Sequence, residues 1–160
     1  MPVDDAAISC RVATIDDIPA LASLRWDMEM EWHPERGERL TQEQYVEVYA
    51  ASVREAMERR THRAWIAFSD GEPVASVTLI WWMMPPSTVN FHRKRGVVSS
   101  VFTQPAYRRR GISRRLMSML IEDARADGID RLVLWASDMG RPLYESLGFA
   151  QGNGMDLDVT

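Results

Sequence analysis

The chain has 160 residues, enough for one domain with a hydrophobic core that needs no disulfide staples. Hydrophobic residues make up 46% and charged residues 26%, which places it among soluble globular proteins and excludes a disordered or fibrous chain. Its net charge of −4 gives no global attraction to nucleic acid or to an anionic membrane, so any phosphate binding must be local.

The single cysteine, Cys10, excludes an internal disulfide. Met1-Pro2-Val3-Asp4-Asp5 is acidic and lacks the basic-then-apolar order of a signal peptide. The longest apolar run, Leu79 to Pro86, is too short to span a bilayer. The expected location is the cytoplasm.

In chain order, Ile8 to Ala13 alternates apolar and polar residues and reads as a short strand. Thr14 to Asp17 is a helix start, followed by Ile18, Leu21, Leu24, Arg25 and Met28 at helical spacing. Trp32 to Leu40, with Pro34 and Gly37, reads as a loop, and Thr41-Gln42-Glu43-Gln44 opens a second helix to about Arg60. The period then changes. Ala64 to Ser69 is a strand, Asp70-Gly71 a hairpin turn, and Val74 to Trp82 the partner strand.

A basic loop, His92 to Gly96, leads to a strand from Val97 to Thr103, stopped by Pro105. A helix from Ser113 to Asp127 buries Leu116, Met117, Leu120, Ile121 and Ala124 and is closed by Gly128. Leu132 to Ala136 is wholly apolar and is expected to be a buried central strand. Arg141 to Leu147 is a short helix closed by Gly148, and Met155 to Val159 is a final strand. The order βααβββαβαβ implies a single α/β domain over residues 1–160 with a mixed sheet. Its unit from Val97 to Ala136 is a right-handed parallel crossover.

The informative segment runs from Gln104 to Arg115, between a strand and an amphipathic helix. Such a junction exposes helix N–H groups that have no partner inside the helix, with the dipole behind them. Gly111 allows close backbone approach and small Ser113 does not block it. Arg109, Arg110 and Arg114 add charge suited to diphosphate or a 3′-phosphate. A solvated arginine face, or nucleic-acid binding together with Arg93-Lys94-Arg95, are the competing readings of the arginines alone. The Walker spacing is absent.

Arg108-Arg109-Arg110-Gly111-Ile112-Ser113 resembles motif A of the GNAT (general-control-related N-acetyltransferase) superfamily, Gln/Arg-x-x-Gly-x-Gly/Ala, with serine at the last position. Leu143-Tyr144-Glu145-Ser146-Leu147-Gly148-Phe149 resembles the family's motif B, and the order of elements matches over nearly the whole chain. The resemblance implies an acyl-CoA N-acyltransferase fold: a mixed, mostly antiparallel sheet with a splayed central parallel strand pair flanked by helices. It implies acetyl-CoA as co-substrate, with Arg108, Arg109, Arg110, Gly111, Ile112, Ser113 and Arg114 around its diphosphate. Val101, Phe102 and Thr103 lie on the splayed strand, whose unpaired backbone groups would meet pantetheine and the acetyl carbonyl. Tyr144 sits beside the sulfur and is the candidate general acid, since a phenol of pKa roughly 10 keeps its proton at neutral pH.

The general base is less plain. The strand Val97 to Phe102 carries no carboxylate, so Ser99 or Ser100 holding a water, Glu29, Glu31 and His92 are the candidates. Ser100 is the one taken into the catalytic set. For the acceptor, Trp26, Glu29 and Trp32 in one region and Trp81-Trp82-Met83-Met84 in another suggest an aromatic pocket for a small-molecule amine, with core packing or a homodimer contact as the competing use.

His33, His62 and His92 are scattered and suggest no metal site, and Cys10 does not suggest an acyl-enzyme. The sequence therefore reads as an N-acetyltransferase working by direct attack on acetyl-CoA. The rivals are a non-catalytic acyl-CoA sensor and an acyltransferase acting on a protein or RNA-linked amine.

Overall fold

The structure is a computed structural model and describes residues 7–159. The expectation about Met1 to Asp5 lies outside the described residues. Strands β1 (Ser9–Val12), β2 (His62–Ser69), β3 (Glu72–Met84), β4 (Arg93–Thr103) and β5 (Ile129–Val133) form one sheet in the order β1-β2-β3-β4-β5. Neighbours are antiparallel except β4 and β5, which run parallel. The helices are α1 (Ile18–Trp32), α2 (Gln42–Glu58), α3 (Ile112–Ala126) and α4 (Arg141–Ser146).

Local chemistry places these elements. The Thr14 N–H donates to Asp17 Oδ2 at 2.7 Å, and a short 3₁₀ turn from Ile15 to Asp17 feeds α1. At α2 the capping box closes: the Gln44 N–H donates to Thr41 Oγ1 at 3.3 Å and the Thr41 N–H to Gln44 Oε1 at 2.9 Å. Asp70 and Gly71 turn β2 into β3 as the dipeptide predicts.

Both faces of the sheet are covered. Ala64 and Ile66 of β2 pack with Leu21, Leu24 and Met28 of α1, whereas Trp65 and Ala67 pack with Leu116, Met117 and Leu120 of α3. A strand buried on both faces has no polar side, which explains the continuous apolar runs of β2 and β3. Leu21, Leu24, Leu116 and Leu120 are each at most 1% exposed, so truncating any of them to alanine costs about 2–5 kcal/mol.

Several elements differ from the sequence expectation. The basic segment Arg93 to Gly96 is not a loop but the first part of β4, opposite Trp81 to Met84. Its cations have partners on neighbouring elements: Arg95 Nε lies 3.3 Å from Asp130 Oδ1 of β5, and Lys94 Nζ donates to the carbonyl of Asp127, at the end of α3, at 3.0 Å. β5 begins at Ile129 and ends at Val133, and it is the last strand of the described sheet where a central one was expected. Its polar residues Asp130 and Arg131 are exposed and break the apolar run by which a buried strand is read. Met155 to Val159 alternates as a strand should, yet it lies on no strand edge and leaves Met155, Leu157 and Val159 at least 85% exposed. Pro34 to Glu38, expected as loop, forms a 3₁₀ turn.

Candidate active site

The parallel ladder pairs Lys94 with Ile129, Arg95 with Arg131, Gly96 with Leu132 and Val97 with Val133, and stops there. β4 continues to Thr103 while β5 ends, so the two chains diverge. A cavity of about 460 Å³ lies by the far end of β4. Val101, Phe102 and Thr103 line one side, the Arg108 to Arg114 turn another, and Ser137, Met139, Gly140, Leu143 and Tyr144 a third, with Trp32 also lining it.

Gly111 is the residue before α3 and holds φ of 73°, a conformation that glycine adopts without steric cost. Among the described residues no side chain caps the helix, so its first N–H groups stay available to a ligand. A Cβ on Gly111 would meet nothing within 4 Å; the space beside this backbone is open. An anion fits here.

The arginines divide. Arg108 Nε donates to the Thr103 carbonyl at 2.9 Å and its Nη2 to Glu31 Oε2 at 2.6 Å, so it ties α1 to the end of β4. Arg110 lies over the Tyr107 ring, with its guanidinium carbon 5.5 Å from the centroid, and does not line the cavity. Arg114 Nη2 donates to Ser146 Oγ at 2.7 Å and fastens α3 to α4. Arg115, outside the cavity, donates to the Ile8 carbonyl. Arg109 lines the cavity from an exposed position at φ 65°, and no partner holds its guanidinium among the described residues. Ile112 is buried at the root of the turn, and the Ser113 hydroxyl is engaged with Thr103 Oγ1 at 2.7 Å.

Tyr144 is 9% exposed and lines the cavity from α4, its ring edge-on to Phe149 with centroids 6.1 Å apart. Burial pushes its hydroxyl above the ordinary tyrosine value. Gly140 makes room for it: a Cβ there would lie 2.8 Å from Tyr144 Cε2 and 3.2 Å from its hydroxyl.

Ser100 stands at a bulge in β4. Ser99 pairs with Thr78 and Phe102 with Ser76, so Ser100 and Val101 face the single Val77. The Ser100 hydroxyl accepts from Arg25 Nη1 at 3.1 Å, and Ser100 does not line the cavity. The carboxylates considered as bases are both ion-paired, Glu29 with Arg25 and Arg36, and Glu31 with Arg108. His92 is exposed in the segment that leads into the start of β4, at the opposite end of the strand from the cavity.

Of the acceptor candidates, Trp32 reaches the main cavity. Trp26 and Glu29 line a smaller one of about 110 Å³ with Met30, Arg36, Leu40 and Tyr45. Trp82 joins neither. It pairs with Arg95, roughly 25 Å along β4 from Thr103, and its indole N–H points to Met84 Sδ at 3.1 Å. Arg93 to Arg95, tied to Asp130 and Asp127, do not join the arginines of the turn.

Sequence reasoning missed Ser137, Met139, Gly140 and Leu143 as cavity walls and Arg25 as a partner of Ser100. Among the described residues, no helix is long and apolar enough to cross a membrane, and no group of His, Cys, Asp or Glu could hold a metal.

A family model for the acetyltransferase (GNAT) family matches residues 18–149. The chain is 33% identical over 90 residues to glucosamine 6-phosphate N-acetyltransferase of Trypanosoma brucei brucei, a match spanning 56% of this chain and 59% of that protein. Its fold is similar to that of a predicted acetyltransferase from Clostridium acetobutylicum solved with acetyl-CoA. That match has a TM-score of 0.80 at 22% identity, over 95% of this chain and 96% of that one. It is similar also to glucosamine-6-phosphate N-acetyltransferase from Arabidopsis thaliana, with a TM-score of 0.74 at 14% identity over 96% and 99% of the two chains.

Proposed function

The chain belongs to the GNAT acetyltransferase family, and on that premise we propose that it moves an acetyl group from acetyl-CoA to a primary amine of a small molecule by direct attack in a ternary complex. The observation that carries this reading is the cavity where β4 and β5 part, with the uncapped start of α3 and the buried Tyr144 both on its walls.

The residues present fit the co-substrate. The first N–H groups of α3 and the Arg109 guanidinium would hold its phosphates, and the open space at Gly111 lets them approach. The backbone of Val101, Phe102 and Thr103, where β4 runs on beyond its pairing with β5, would hold the pantetheine arm and the acyl oxygen. When bound, acetyl-CoA supplies the acyl thioester. The chain supplies fixed donors, worth about 3 kcal/mol where negative charge develops, and a proton stored on the Tyr144 hydroxyl. Burial supports that role, because it keeps the phenol neutral at physiological pH.

A small amine is favoured by Trp32 on the main cavity, by the aromatic notch of Trp26 and Tyr45, and by the name of the Trypanosoma relative. A cytoplasmic location and a homodimer that uses the exposed Trp82 and Met83 belong to the same proposal. Sedimentation of the purified chain tests the dimer.

One observation favours a sensor that binds acyl-CoA without turning it over: among the described residues, no carboxylate lines the cavity. Calorimetric titration with acetyl-CoA and CoA, run beside thiol release against a panel of amines, separates the two. Micromolar binding with amine-dependent thiol release establishes the transferase; binding without release on any amine supports the sensor. Absence of binding overturns both.

A further inference from the structure

Ser100 is the one residue of β4 in the left-handed region, with φ of 51°. A non-glycine residue pays about 1–2 kcal/mol to sit there, so something must hold it. Its hydroxyl is held by Arg25, which reaches across from α1. The other arm of that guanidinium donates to Glu29 Oε1 at 2.5 Å, and Glu29 Oε2 accepts in turn from Arg36 Nη1 at 2.9 Å. Arg25 is 28% exposed and Glu29 18%, so the network is partly shielded from water and its geometry is restrained.

The position of this contact matters. The bulge adds one residue to β4 immediately before Val101, Phe102 and Thr103, the three strand residues that line the cavity. An extra residue turns the strand locally and changes which backbone groups face its unpaired side.

We propose that Arg25 is a positioning residue for acetyl transfer: anchored by Glu29, it holds Ser100 in the left-handed conformation and so fixes the bulge that presents the Val101 to Thr103 backbone to the acyl group. This assigns Ser100 a structural duty where the sequence suggested a water relay. The inference rests on the cavity being the acyl-CoA site, and it would fail separately from that reading. Loss of acetyl-CoA binding by the wild-type protein would sink the site; the test below addresses Arg25 in a protein that binds.

The test is a double-mutant cycle of Arg25→Gln with Ser100→Gly. Glycine takes positive φ at no steric cost, so it forms the bulge without a guanidinium to hold it. Arg25→Gln is expected to lower kcat about 10- to 100-fold, as a misplacement of the reacting geometry does, with KM for acetyl-CoA within about threefold. In the Ser100→Gly background the same substitution is expected to lower kcat by less than about threefold.

An equal kcat penalty in both backgrounds would overturn the proposal, as would an effect of Arg25→Gln confined to the KM of the amine. The second outcome would make Arg25 an acceptor contact. Arg25→Lys, which keeps the charge beside Glu29 but cannot bridge both partners with a planar fork, guards against a folding defect and should show the same dependence on the Ser100 background.

Discussion

The hydroxyls of Thr103 and Ser113 lie 2.7 Å apart and join the last residue of β4 to the first turn of α3. Either oxygen can donate, so the bond leaves one proton to spare at the cavity wall. It fixes the strand end that would meet the acyl group relative to the turn that would meet phosphate. Thr103→Val and Ser113→Ala are each expected to cost about 1 kcal/mol in urea denaturation. Because both remove one shared bond, the double variant should cost clearly less than the sum. Strict additivity would show that the two hydroxyls do not act on each other.

Gly111 makes the sharpest binding prediction. At φ of 73° any side chain is strained, by about 1 kcal/mol for alanine. Gly111→Glu adds negative charge to that strain, beside the uncapped helix start. Calorimetry should find no measurable affinity for CoA in this variant, while its circular dichroism stays that of a folded protein. Retained affinity would put the phosphate site elsewhere.

Tyr144 and Gly140 should fail in the same way for different reasons. Tyr144→Phe keeps the ring in its packing against Phe149 and removes only the proton, so kcat is expected to fall about 100-fold or more with CoA affinity nearly unchanged. Gly140→Ala leaves the hydroxyl but crowds the ring, since the new Cβ would sit 2.8 Å from Cε2. It should lower kcat by pushing the phenol off its position. Because burial raises the Tyr144 hydroxyl above its usual value, kcat should show no loss of this proton between pH 7 and about 9. Unchanged kcat in Tyr144→Phe would remove the general-acid role.

The parts of this molecule that were legible in the sequence are those settled by near neighbours. Thr41 and Gln44 cap α2, Asp70-Gly71 turns a hairpin, and Gly111 opens α3, each through contacts a few residues apart. What escaped depends on partners far along the chain. Arg108, Arg109, Arg110 and Arg114 looked like one phosphate cluster, yet Arg108 is claimed by Glu31 from α1 and Arg114 by Ser146 from α4. Arg93 to Arg95 resembled a basic loop because their counter-charge, Asp130, lies on the neighbouring strand. Alternation at Met155 to Val159 signalled a strand, but alternation supplies only a face; a strand also needs an edge to pair with. Trp82 fell on the wrong end of a strand longer than its apolar core suggested.

A last prediction concerns the entry to α1, where Asp17 accepts from both arms of Arg11, at 2.6 and 2.8 Å, and from the Thr14 N–H. These donors, Arg11 first among them, hold its carboxyl down to about 2, against an ordinary value of 3.8. The folded chain therefore binds this proton more weakly than the unfolded chain. By linkage the resulting stability is present in full above about pH 4 and is lost as pH falls through about 2. Arg11 is 49% exposed, so water and salt screen the pair and its worth is about 1 kcal/mol. Asp17→Asn should thus melt lower than the wild type at pH 7, and the gap should narrow as both are taken from pH 4 to pH 2. A gap that stays constant over that range would mean that Asp17 stabilises the helix start by shape and hydrogen bonding alone, with its charge contributing nothing.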